Sequence, residues 1–233
     1  MNLKLLHIFL LSTAGTFLLC TPFINTVELA NGLVTGKMCW FHLAMLFFSV
    51  CVFFVMLTKK GTVIAFTFSD PLVLFFAGGV LITYKWNLNP EPEKLIFAGQ
   101  LVILWFLLRY VLTAYREFKF FFLFVLMFTG LIEAVWGMQQ LHGYSHSNHS
   151  LFRLTGSFFN PGPYSGYIAV ILPVCLWTAL RFQKGMHYFA WICVGAILIV
   201  LPAGMSRSAW IAAVVACGWV YWTERIGWEK TKA

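Results

Sequence analysis

Eight apolar runs, most of them close to the roughly 20 residues that a helix needs to cross a bilayer, are separated by short polar stretches along the whole chain. They cover about 5–24, 38–57, 62–83, 95–114, 119–141, 163–181, 187–203 and 208–223. Hydrocarbon offers no water to unpaired backbone groups, so each run is predicted to be a helix. Only 10% of the 233 residues are charged, against roughly 25% in a soluble domain. The expected fold class is all-α: a polytopic membrane helix bundle of about eight transmembrane helices, forming one domain over 1–233. The first run, after Lys4, resembles a signal peptide. No small-residue cleavage site follows it, and an uncleaved first span is expected.

Lys and Arg placement sets the orientation. With the N-terminus in the cytoplasm, one side holds Lys4, Lys59, Lys60, Arg109, Arg116, Lys119, Arg181, Lys184, Arg225, Lys230 and Lys232. The other holds Lys37, Lys85, Lys94, Arg153 and Arg207. Eleven against five puts both termini in the cytoplasm by the positive-inside rule. Trp40, Trp86, Trp222 and Trp228 fall near the expected interfaces, as aromatic anchors do. The net charge of +8 comes without a basic block or a basic-aromatic patch, so nucleic acid is not an expected partner. None of the six cysteines forms a CxxC pair, and most sit in apolar runs as small hydrophobes. No phosphate-binding loop, dinucleotide fingerprint, HExxH or nucleophile elbow is present.

The longest stretch that breaks this pattern is Arg153 to Tyr167, RLTGSFFNPGPYSGY. Its glycines permit unusual backbone angles and its prolines remove donors. A helix starting near Pro163 would carry proline in its first turn, where the missing N–H costs nothing. The amino end of that helix and Arg153 together make a candidate anion site. Ser206-Arg207-Ser208 repeats the design ahead of the last apolar run, with either serine able to cap the new helix. The orientation above puts Arg153, Arg207 and both helix starts on the outer side.

Glu133 lies inside the fifth run, about two turns before the outer loop, where an ionisable group is a functional candidate or a paired structural one. Asp70-Pro71 reads as a structural helix start, with Asp70 as cap. His142, His146 and His149 lie close enough to suggest a metal. No acidic residue or cysteine accompanies them and the loop has no obvious rigid frame, so a polar outer loop is expected and no metal site. Asn148-His149-Ser150 matches a glycosylation sequon.

RLTGSFFNPGPYSGYIAVILPV resembles the hallmark segment of the O-antigen ligase and O-antigen polymerase superfamily. PAGMSRSAWIAAVVA resembles that family's second segment, and SDPLVLFF with NLNPEPEKLIFAGQ resembles its third span and following loop. The resemblance runs from about Asp70 to Trp222. It implies a metal-independent glycosyltransferase at the outer face of the bacterial inner membrane, with no cofactor. Its donor would be a polyprenyl-diphosphate-linked glycan, and its acceptor lipid A-core or another glycan. It implies that Arg153 and Arg207 bind the diphosphate and stabilise the charge that builds on it, since an arginine fork pairs with phosphate oxygens. Gly156, Ser157, Asn160, Ser206, Ser208 and Glu133 become candidate substrate-binding residues. Family members continue into a large outer loop, bearing a histidine, and further helices. This chain is therefore expected to be truncated after the second motif. A transporter or flippase for lipid-linked or anionic substrates and a non-catalytic membrane scaffold are the alternative expectations.

Overall fold

In a computed structural model the chain folds into helices, and among the described residues there is no strand. The helices are α1 (Leu3–Leu19), α2 (Gly32–Thr58), α3 (Ser69–Trp86), α4 (Pro92–Ala114), α5 (Arg116–Leu141), α6 (Pro161–Arg181), α7 (Gly185–Val200) and α8 (Arg207–Lys230). Short 3-10 turns occupy Thr21–Phe23 and Pro202–Gly204. The structure describes residues 3–26, 31–59, 61–62, 64, 66–87 and 89–230, with side chains as far as 225. Lys60 and Lys232, and the side chains of Trp228 and Lys230, lie outside them.

α2, α4, α5 and α6 are each long and apolar enough to cross a bilayer, while α1 and α7 are shorter apolar helices of 17 and 16 residues. Large apolar side chains cover much of the surface, with Phe75 83% and Ile211 66% exposed. Water would not tolerate such a surface, and lipid would. The protein is an all-helical, multi-pass membrane protein.

Two helix starts depart from the hydropathy reading. α3 begins at Ser69 rather than near residue 62, because the Asp70 carboxylate accepts the Thr67 N–H at 2.7 Å and closes the turn just before the helix. Asp70 thus sits in the first turn and not at the cap position. Its other oxygen accepts from Trp105 Nε1 at 3.0 Å and pairs with Arg109. Arg109, counted above as a cytoplasmic cation, is therefore a largely buried partner within α4. α2 begins at Gly32, six residues before the hydropathy suggests, which puts Lys37 inside a helix. That charge is accommodated because Lys37 Nζ donates to the carbonyls of Pro22 at 2.5 Å and Ile24 at 2.7 Å.

The chain forms two compact units. Unit 1 comprises 1–18 and 39–122, and unit 2 comprises 19–38 and 123–233. Unit 1 has a core of α1, α2 and α4 residues such as Leu11, Phe48, Val52 and Val111, closed by Phe118. Unit 2 is built on α6, whose buried face runs from Tyr164 to Ala179. α5 lies antiparallel to it, since Gly130 abuts Ile171 and Gly137 abuts Tyr164. A Cβ at either glycine would collide, so small residues here let two membrane helices approach closely. α8 runs parallel to α6. Ser165 Oγ donates to the Gly204 carbonyl at 2.9 Å near their amino ends, and Trp177 Nε1 donates to Glu224 Oε1 at 3.0 Å near the other.

Candidate functional site

The parallel course of α6 and α8 places both of their amino ends at one end of unit 2. The 142–160 loop, which joins the close of α5 to the start of α6, lies at that same end. Arg153 is exposed on this loop, and Arg207 is exposed as the first residue of α8. Neither guanidinium has a hydrogen bond or ion pair with any other described residue.

Contrary to the expectation above, the loop does have a rigid frame. Gln140, buried near the end of α5, clamps it. Its Oε1 accepts the N–H groups of Thr155 at 2.9 Å and Gly156 at 2.7 Å. Its Nε2 donates to the carbonyls of His146 at 3.0 Å and Gly156 at 3.1 Å. Asn148, the sequon residue, donates through Nδ2 to the carbonyls of Gly156 and Phe158, at 3.2 and 3.0 Å. Both donors of a primary amide are thus engaged inside the protein. His149 Nδ1 accepts the Leu151 N–H at 3.0 Å, and its ring packs on Phe152 and Phe159. Among the described residues no group of three metal-ligating side chains comes together.

Beneath the loop lies a polar layer. Glu133 is fully buried, and its Oε2 accepts the Ser157 N–H at 3.0 Å. Its Oε1 is buried without a hydrogen-bond partner among the described residues. The Lys37 ammonium is the cation that acts on this carboxylate, and it also lies 5.7 Å from the Phe158 ring centroid. Ser157 Oγ donates at 2.6 Å to the Pro22 carbonyl, which also accepts from Lys37. Gly156 stands at φ +54°, and a Cβ there would strike the Glu133 carboxylate and the Tyr164 ring. Only glycine fits both the backbone angle and the space. Tyr164, wholly buried, donates its hydroxyl to the Glu133 backbone carbonyl at 3.2 Å.

Two classes of residue therefore emerge from the set picked out in the sequence. Glu133, Gly156 and Ser157 are brought together, but inside, where their polar groups hold the loop. Arg153, Arg207, Asn160, Ser206 and Ser208 lie on or near the surface at the same end of the unit. Lys37, Gln140 and Tyr164 join the inner group and were missed. A signal existed for one of them: Glu133, Gly137 and Gln140 are spaced i, i+4 and i+7, which lines one face of a helix.

The two helix starts, alike in sequence, differ in chemistry. α6 begins at Pro161, and Asn160 Oδ1 accepts the Gly162 N–H at 2.8 Å. Pro163 then supplies no N–H. The first turn of α6 thus has no free donor, and its expected role as an anion site is corrected to a dipole without hydrogen-bonding groups. In α8, Ser206 Oγ accepts the Ala209 N–H at 3.4 Å and lies 3.3 Å from Ser208 Oγ, and it takes no other backbone N–H of that turn. The N–H groups of Arg207 and Ser208 find no acceptor among the described residues. Arg207 therefore combines a guanidinium with two free backbone donors, the combination that suits an anion.

No family model, no curated protein and no solved structure matches this chain.

Proposed function

We propose that this protein is an O-antigen ligase- or polymerase-like glycosyltransferase. In this proposal it acts on polyprenyl-diphosphate-linked glycans at the outer face of the bacterial inner membrane. The helices form eight spans with both termini in the cytoplasm. The donor diphosphate lies against Arg207 and the free N–H groups that open α8, with Arg153 approaching from the clamped loop. In the transfer, an acceptor hydroxyl of lipid A-core or of another glycan attacks the anomeric carbon. The bond from that carbon to the diphosphate breaks, the diphosphate leaves with the electron pair, and the proton of the attacking hydroxyl passes to solvent. Preorganised cations and N–H groups stabilise that developing charge without metal.

The observation that carries this reading is the pair of exposed arginines at one end of unit 2, without partners among the described residues, one of them heading a helix whose first N–H groups also find no acceptor there. A flippase is the second reading, drawn from an intramembrane carboxylate. The burial of Glu133 against the loop backbone gives that reading no passage to line.

The test is incubation of labelled polyprenyl-diphosphate glycan with membranes carrying the protein. Polymer or lipid A-core product is expected. Arg153→Ala and Arg207→Ala are each expected to slow transfer by about 100-fold or more with insertion intact. Arg→Lys should also impair it, since an ammonium lacks the fork. Wild-type rates in both alanine variants would remove the donor site. Movement of glycan across the bilayer without bond formation would favour the flippase.

A further inference from the structure

A second polar feature lies in unit 1, at the end where α1 begins, α2 and α4 finish and α5 starts. These four helix ends enclose a crevice of about 520 Å3. Lys4, Lys59 and Arg116 line it, against the single carboxylate of Glu117.

The floor is built and satisfied. His7 is buried, with Nδ1 2.5 Å from the Tyr115 hydroxyl and Nε2 2.8 Å from Thr58 Oγ1. Lys59 is held in place, donating to the Ala114 carbonyl, with its ammonium 4.0 Å from the Tyr115 ring centroid. Lys4 Nζ lies 2.6 Å from Glu117 Oε1, so that carboxylate is already engaged. Arg116 is exposed and has no partner among the described residues. The crevice therefore keeps an excess of positive charge, with Lys59 fixed by its neighbours and Arg116 exposed at its edge. Apolar Leu3, 48% exposed, lines it, and Leu57, 65% exposed, directly precedes Thr58 of its lining. A ligand that satisfies both features carries a phosphate and a hydrocarbon chain.

We propose that this crevice binds the headgroup of an anionic phospholipid of the cytoplasmic leaflet. Arg116 and Lys59 meet the phosphate, and the acyl chains run along Leu3 and Leu57. Basic pockets between membrane helices on the cytoplasmic side suit such headgroups. The site is independent of glycosyl transfer, and nothing in its test requires that activity.

The test is lipid retention by the purified full chain, drawn from vesicles of equal parts phosphatidylglycerol and phosphatidylcholine and read by native mass spectrometry. Phosphatidylglycerol is expected in excess. A cation near the surface contributes about a fivefold preference, so Lys59→Gln with Arg116→Gln should cut the excess about 25-fold. Lys85→Gln, which removes a cation at the far end of α3, should leave it unchanged. Inorganic phosphate at millimolar concentration should not displace the lipid, because it has nothing to set against the apolar wall. If the double variant fails to fold, Arg116→Gln alone carries the test, with a reduction of about fivefold. Equal retention of both lipids, an excess that survives loss of the cations, or an equal fall in Lys85→Gln would each overturn the assignment. Displacement by inorganic phosphate would overturn it too, and make the crevice a free-anion site.

Discussion

Replacing Gln140 with leucine should release the loop that carries Arg153. Leucine keeps the volume and the helix propensity but offers neither acceptor nor donor. The loss falls on the Thr155 and Gly156 N–H groups, both buried and both served by Gln140 Oε1. The Gly156 carbonyl keeps its bond from Asn148, and the exposed His146 can turn its carbonyl to water, so these add little. Stranding a buried donor costs about 1–3 kcal/mol, so the two together favour loop opening by about 2–6 kcal/mol. Even the lower bound raises the open population about 30-fold. Hydrogen exchange read on a peptide spanning Thr155 to Ser157 should speed up by at least that factor. Amides of Ile197 and Val200, in the core of the same unit, should keep their protection. Trypsin cleavage after Arg153 should accelerate in parallel. Exchange within threefold of wild type would refute the clamp. A matching rise in the α7 amides would show global unfolding instead.

Gly137→Ala would drive a methyl group into the Tyr164 hydroxyl and to 2.8 Å from Leu154 Cδ1, costing about 1–3 kcal/mol. Tyr164→Phe removes that hydroxyl, so the double variant should be less destabilised than the sum of the singles in thermal unfolding. Strict additivity would deny the contact. Gly156→Ala should destabilise unit 2 by about 1–2 kcal/mol from its left-handed backbone alone, and further from collision with Glu133 and Tyr164, read as a fall in melting temperature. Asp70→Asn removes the carboxylate charge that faces Arg109 in a pair whose carboxylate side chain is 1% exposed, and a fall in melting temperature is expected. Adding Arg109→Met should recover part of that loss, and a further fall in stability would contradict the pairing.

Much of this protein is decided by order along the chain. Apolar run length specifies where helices form, because a backbone in lipid must satisfy its own hydrogen bonds. Pro161 after Asn160 marks the start of α6, because one lacks the donor that would be orphaned and the other caps the next. These are local effects, and the residue string expresses them directly. The string also picks out Arg153 and Arg207 as lone cations beside helix starts.

Tertiary structure alone decides which polar groups meet. Gln140 reaches Thr155 across 15 residues, and Ser157 reaches the Pro22 carbonyl across 135. Packing alone makes Glu133 a buried holder of the loop, turns Arg109 inward to Asp70, and draws Lys37 into a helix. It also separates two helix starts that read alike, leaving donors without an acceptor among the described residues at α8 and none at α6. The reason is physical: a buried polar group takes the partner that folding brings within about 3 Å, and hydropathy along a chain carries no record of that distance.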